Sequence, residues 1–333
     1  MGNKICAYGE IMMRLSPLNY IQTEDATNFE ACYGGTESNV LVALSHLGNQ
    51  TSFISKIPNN SLGEGVIRHL LRHNVGVSHL IMDGTTLGIY FMEQGFGSKA
   101  SKVIYHRKNS EINTLKEEDF DYDEVFKDAS WFHITGISLA ISKNSKDVSL
   151  RLVKEAKKRN IKVSFDFNYR STLWSIDEAK ETYKEIIKYV DVCFGNVFDI
   201  NNFLDFKDDD DNKTIEKLLK TYNISYLINT KRTIIDSNNH SLKANLFYLH
   251  EGTLISISTD EEKFEVLDRI GGGDAFVAGV IHILNDNFTD LSQALQLGLK
   301  CGILKHLVKG DVLSLSKNEI YNWMKNQSKD VVR

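Results

Sequence analysis

The stretch Asp268–Phe276, DRIGGGDAF, places three consecutive glycines directly before an aspartate. An all-apolar run follows, Val277–Leu284, broken only by His282. Glycines have no Cβ, so the N–H groups of Gly271, Gly272 and Gly273 can converge on an anion at close range. A helix starting there adds its positive end. Asp274 would repel an anion resting in that hole. Its presence makes sense if it takes a proton from a hydroxyl group that attacks a phosphoryl group. The competing account is a glycine turn with an acidic cap on a buried helix. The G-x-x-x-x-G-K-S/T phosphate loop is absent.

Such a site needs a scaffold, and the chain of 333 residues, 42 % apolar, is long enough to build one. Its net charge of −5 argues against a nucleic-acid or anionic-membrane surface. No apolar run reaches the roughly 20 residues of a membrane span. The first residues carry an early lysine and no long apolar core, unlike a secretory leader. The four cysteines are far apart and read as small buried hydrophobes of a reduced, cytoplasmic protein. The ten histidines show no metal-ligating spacing.

Short apolar runs alternate with helical-period segments. KICAYGEI, TSFISKI, SWFHITGI, IKVSFDFN, VDVCFGN and ISYLINT read as strands. Helices are expected at TESNVLVALSHLG, with Thr36 as N-cap and Gly48 as stop, at LGEGVIRHLLRHN, and near 145–159, 177–189 and 213–222. This alternation predicts an α/β fold, a mostly parallel sheet covered by helices on both faces. Residues 12–33 and 86–107 lack a helical period; the second stretch alternates instead. Together they read as a small antiparallel sheet, a lid on a single domain spanning 1–333. The acidic run 205–213 reads as a solvated loop before a helix.

The motif D-x-x-G-G-G-D-A-F with its buried helix resembles the C-terminal signature of the ribokinase-like (PfkB) carbohydrate kinases. YGGTESNVLVALSHLG and IPNNSLGEGVIRHLLRHNVGVSHL resemble earlier units of the same family, so the likeness runs over nearly the whole chain. It implies a ribokinase-like fold, Asp274 as catalytic base, and Gly271, Gly272 and Gly273 as the anion hole. Asp268 would lie in a loop near the nucleotide and a monovalent cation. The segments GIYFMEQG, SKVIYHRKNSEI, HITGI, FDFNYRSTLW and LKHLVKGD resemble the subgroup that phosphorylates 2-keto-3-deoxygluconate on its terminal hydroxyl.

That resemblance implies substrate contacts from Gly34, Gly35 and Asn39, from Tyr90, Tyr105 and Arg107 of the lid, and from Asn168 and Arg170. The chemistry agrees: the substrate carries a carboxylate, and a guanidinium pairs a carboxylate bidentately. Alternation puts Tyr105 and Arg107 on one strand face. The alternative for each arginine is a solvated surface charge. Asp166 reads as satisfying backbone groups at its strand end. The nucleotide side departs from the family pattern. NVFD, Asn196–Asp199, has an aspartate where N-x-x-E is common; it could hold magnesium through water. Thr230 is followed by Lys231 and Arg232 rather than a glycine, with Arg232 within reach of nucleotide phosphate. ATP and magnesium are the implied cofactors. The lid stretches alternate, and an isolated small sheet with one apolar face needs a partner to cover its face or edges, so a homodimer through the lids is expected. Two alternatives stay open: a fructokinase or ribokinase-type enzyme, and a catalytically silent sugar-binding sensor.

Overall fold

Side chains of β1 (Lys4–Tyr8) sort by parity. Ile5 and Ala7 enter one apolar cluster, Cys6 and Tyr8 another. This is the period of a strand buried on both faces. The computed structural model describes residues 3–286 and 290–326. The other strands are β2 (Met12–Pro17), β3 (Phe29–Gly34), β4 (Gln50–Ile57), β5 (Val75–Met82), β6 (Ile89–Glu93) and β7 (Lys102–His106). They continue with β8 (Ala129–Thr135), β9 (Lys162–Asp166), β10 (Val192–Phe194), β11 (Tyr226–Ile234), β12 (Asn239–His250), β13 (Thr253–Ser258) and β14 (Glu262–Glu265).

Ten of these strands form the main sheet, in the order β13-β12-β11-β10-β9-β8-β1-β4-β5, with β14 beside β12. Pairing from β5 through β11 is parallel. Beyond β11 it turns antiparallel. The sheet is therefore mostly parallel, flanked by helices. Helices Thr36–His46, Gly272–Asn285 and Leu291–His306 cover one face, and Lys143–Lys158, Ile176–Ile186 and Asp211–Tyr222 the other. No described helix is long and apolar enough to cross a membrane.

Several elements differ from expectation for local reasons. β5 showed no clear pattern because it is an edge strand, mostly half-buried. Gly35, extended at φ −177°, caps the first helix, and Thr36 is already its first residue. Gly35 offers the helix no side-chain cap; instead Asn39 Oδ1, one turn into the helix, accepts the Gly35 N–H at 3.2 Å. Gly48 does end that helix region, with φ +99°. In the acidic run, Asp210 caps its helix and Asp205 pairs with Lys180 and Lys184.

The small sheet has the order β3-β2-β6-β7. β2/β3 and β6/β7 are antiparallel, but β2/β6 is parallel. The expected antiparallel lid is thus mixed, because the chain detours through β4 and β5 before returning along β2. One guanidinium fastens this sheet to the main body. Arg14 of β2, 5 % exposed, pairs with Asp268 and with Asp311, each at 2.8 Å. Removing one partner from a buried ionic cluster costs about 3–5 kcal/mol. Arg14→Met should therefore lower the thermal midpoint by several degrees in a calorimetric scan; an unchanged midpoint would show that the cluster contributes nothing to stability.

Candidate active site

β1 lies between β4 and β8, so the chain order reverses beside it. Open α/β sheets hold ligands at the carboxyl ends of strands near such a point. Two cavities open there, of about 380 and about 320 Å³. The first lies under the lid. The second is lined from β10, β11 and the segment Asn196–Asp199. They meet at Asp166, Asn168, Arg170 and Gly273, which line both.

The three glycines serve three different needs. Gly271 has φ +83°, and a Cβ there would stand 1.9 Å from the Asp311 carbonyl oxygen. A Cβ on Gly272 would strike the His306 ring at 2.1 Å. Gly273 is different: a Cβ there would meet no protein atom within 4 Å. Packing does not require that glycine. It keeps the junction of the two cavities clear, at the first turn of helix Gly272–Asn285.

Asp274 follows, lining the first cavity. Its Oδ2 accepts from Asn39 Nδ2 at 2.7 Å. Because Asn39 Oδ1 is held by Gly35, its amide can only present NH₂ to Asp274. Asn39, expected to touch substrate, also orients the acid. Burial pushes the Asp274 carboxyl up to about 7; the charges of Glu37 and Asp311 add to the rise, while Asn39 and Arg170 oppose it. Asp166 is likewise raised to about 7, by burial and by Asp274 and Asp199.

Gly34, Gly35, Tyr90, Tyr105, Arg107, Asn168 and Arg170 all line the first cavity. Their engagements differ from expectation. The Tyr90 hydroxyl donates to Asp311, leaving its ring for a ligand. A Cβ on Gly34 would collide with the Asp311 carboxylate, and one on Gly35 with the Glu10 carbonyl. Arg107 follows directly after β7, and its guanidinium is 5.6 Å from the Tyr105 ring centroid. It forms a buried ion pair with Glu10, while its Nε has no hydrogen-bond partner among the described residues. Arg170 is exposed; among the described residues its guanidinium bonds the Tyr169 carbonyl alone, and its charge is felt by Asp166 and Asp274.

Asn196, Asp199 and Thr230 line the second cavity. Asn196 and Asp199 cap each other's backbone N–H groups at the start of helix Val197–Phe203. Arg232 was expected there, but it lines the first cavity beside Arg269. The reason is β11, which continues as a hairpin with β12, pairing Arg232 with Leu242. Asp268 lines neither cavity. Glu10, Glu37, Arg269 and Asp311 escaped the sequence reading. Glu10 stands just past a strand, Arg269 lies inside DRIGGGDAF and Asp311 closes LKHLVKGD, so these three had a local signal.

Residues 3–318 match the model of the pfkB family of carbohydrate kinases. The chain belongs to this family. Among pfkB relatives, the 2-dehydro-3-deoxygalactonokinase of Haloferax volcanii is 29 % identical over 320 residues, covering 96 % of each chain. The solved 2-dehydro-3-deoxygluconokinase of Thermotoga maritima superimposes with a TM-score of 0.91 at 30 % identity, covering 98 % of this chain and 99 % of that one. A Xylella fastidiosa fructokinase with bound ATP shares the fold, at TM-score 0.77 and 18 % identity over 99 % of this chain and all of the other.

The glycines separate packing from chemistry in this pfkB kinase. Gly271→Ala should lower the thermal midpoint, since its left-handed backbone and the nearby carbonyl both reject a side chain. Gly273→Ala should melt like the parent yet lose at least about tenfold in turnover. Equal turnover with an intact fold would remove the junction from the chemistry.

Proposed function

We propose that this carbohydrate kinase transfers the γ-phosphoryl group of ATP to the terminal hydroxyl of 2-keto-3-deoxygluconate, giving the 6-phosphate. One observation carries the reading: Asp274, oriented by Asn39, stands beside the clear junction at Gly273. Sugar in the first cavity and nucleotide in the second would bring hydroxyl and phosphate together there. Asp274 takes the hydroxyl proton as the oxygen attacks, and the N–H groups of the glycine turn receive the charge on the phosphoryl oxygens. Magnesium, when bound, neutralises phosphate charge. Asp199 would hold it through water, with Asn196 and Thr230 beside the nucleotide.

The acid end of the substrate suits Arg170, whose guanidinium faces the cavity without a carboxylate partner. Arg232 and Arg269 add positive charge to the same cavity. The Glu10–Arg107 pair favours a second reading, since a neutral pair suits the hydroxyls of a fructose-like sugar. Retention of Asp274 argues against a silent sensor. Ile104 and Tyr105 are exposed on the lid, and a second copy of this chain is the partner proposed to cover it.

Asp274→Asn should fold as the parent while turnover falls by roughly 10²–10⁴. Because the base must be unprotonated, kcat/KM of the parent should rise with pH through about 7. A flat profile across that range, or near-parental turnover in the variant, would sink the base assignment.

Substrate charge is tested by steady-state kinetics on 2-keto-3-deoxygluconate, its galactonate epimer and fructose. A charge-assisted hydrogen bond contributes about 1.5–3 kcal/mol. Arg170→Ala should therefore cost on the order of 10- to 150-fold in kcat/KM on the sugar acids and much less on fructose. Preference of the parent for fructose, or parallel losses on all sugars, would transfer the assignment to the fructokinase reading.

A further inference from the structure

No solvent reaches Lys305, whose exposure is 0 %. It is the penultimate residue of helix Leu291–His306, where the helix dipole is negative. Its Nζ donates to the Val308 carbonyl at 3.2 Å. Its Cε lies 3.4 Å from where a Cβ on Gly271 would stand, so the stem is seated under the glycine turn. Burial pulls the ammonium below its ordinary pKa and the like charge of Arg14 adds to the fall, while Asp268, Asp311 and Asp274 favour its charge.

The family resemblance implied a monovalent cation near Asp268. The residues present do not fit one. Asp268 Oδ1 accepts from the Ile270 N–H, and Oδ2 from Arg14 and the Gly310 N–H. The Val308 carbonyl already holds Lys305. We propose that Lys305 stands in place of that cation, as a built-in positive charge beneath the Gly271–Gly273 turn, so that phosphoryl transfer in this protein requires no monovalent metal ion. A fixed charge there strengthens the turn's hold on developing negative charge without touching it. Lys305 is thus a positioning residue, and this role rests on the kinase reading above.

The test compares the parent, Lys305→Ala and Lys305→Met in potassium, ammonium and choline chloride at equal ionic strength. Thermal midpoint is read without substrates, and turnover is read with ATP and the preferred sugar. The parent should show the same midpoint and the same turnover in all three salts. Lys305→Ala vacates the place of the ammonium beside the Val308 carbonyl, in the field of Asp268, Asp311 and Asp274. It should lose about tenfold or more in turnover in choline, and potassium or ammonium should raise its midpoint and restore part of its rate, saturably. Lys305→Met fills the space without charge and should respond to neither. Potassium activation or stabilisation of the parent would overturn the proposal. So would a Lys305→Ala midpoint indifferent to salt, or equal responses in both variants. The thermal arm needs no sugar, so it stands even where the substrate assignment fails.

Discussion

The buried guanidinium of Arg14 is the constraint around which the site is arranged. Two carboxylates taken out of water must be paired, and Arg14 pairs both Asp268 and Asp311 from a strand of the small sheet. Asp268 in turn holds the backbone N–H groups of Ile270 and Gly310 on either side of the glycine turn. Asp311 receives the Tyr90 hydroxyl and presses against Gly34. Lid, turn and cavity wall therefore share one electrostatic knot. It fixes the distance between the sheet that covers the first cavity and the helix that carries Asp274.

Around that knot, carboxylates are divided by environment. Asp311 and Glu10 have cationic partners, and Glu37 is held by Thr135 and Ser138. Burial raises all five carboxyls, Asp274 and Asp166 to about 7, with Asn39 and Arg170 opposing the rise at Asp274 and Arg170 and the Asn168 N–H opposing it at Asp166. Pairs of acids with unlike surroundings are how a single fold separates structural from proton-transferring groups. The charge of Asp274 contributes to the rise at Asp166, after burial. Asp166, read from sequence as serving a strand end, does accept the Asn168 N–H at 3.0 Å, and it also lines both cavities.

Legibility followed range. Period-two strands, the buried helix after the glycine run and the glycine run itself are local, and the chain displays them directly. The placement of Asn39, Tyr90, Tyr105, Arg107 and Arg170 around one cavity was reached through motif resemblance. Pairings across the chain left no trace in spacing. Nothing near Arg107 announces Glu10, and nothing near Arg14 announces Asp268 and Asp311. Arg232 missed the second cavity because the hairpin with β12 is a tertiary fact. Thr36 lost the cap to Gly35, whose N–H is held by Asn39 from one turn away.

The mixed lid has a consequence for how the molecule comes into being. β2 and β6 pair in parallel only after β4 and β5 have been laid down between them in the main sheet. Loop closure over such a span is entropically costly until the intervening units have condensed. The β2–β6 seam, which brings Met13 beside Ile89, is therefore a non-local step, though a shorter one than the β1–β8 pairing of Lys4 with Ala129 in the main sheet. All four strands of the small sheet precede every residue that lines the second cavity, so a growing chain carries them before that cavity has walls. Until β2 and β6 meet, their unpaired edges stand open to a chaperone or a neighbouring chain.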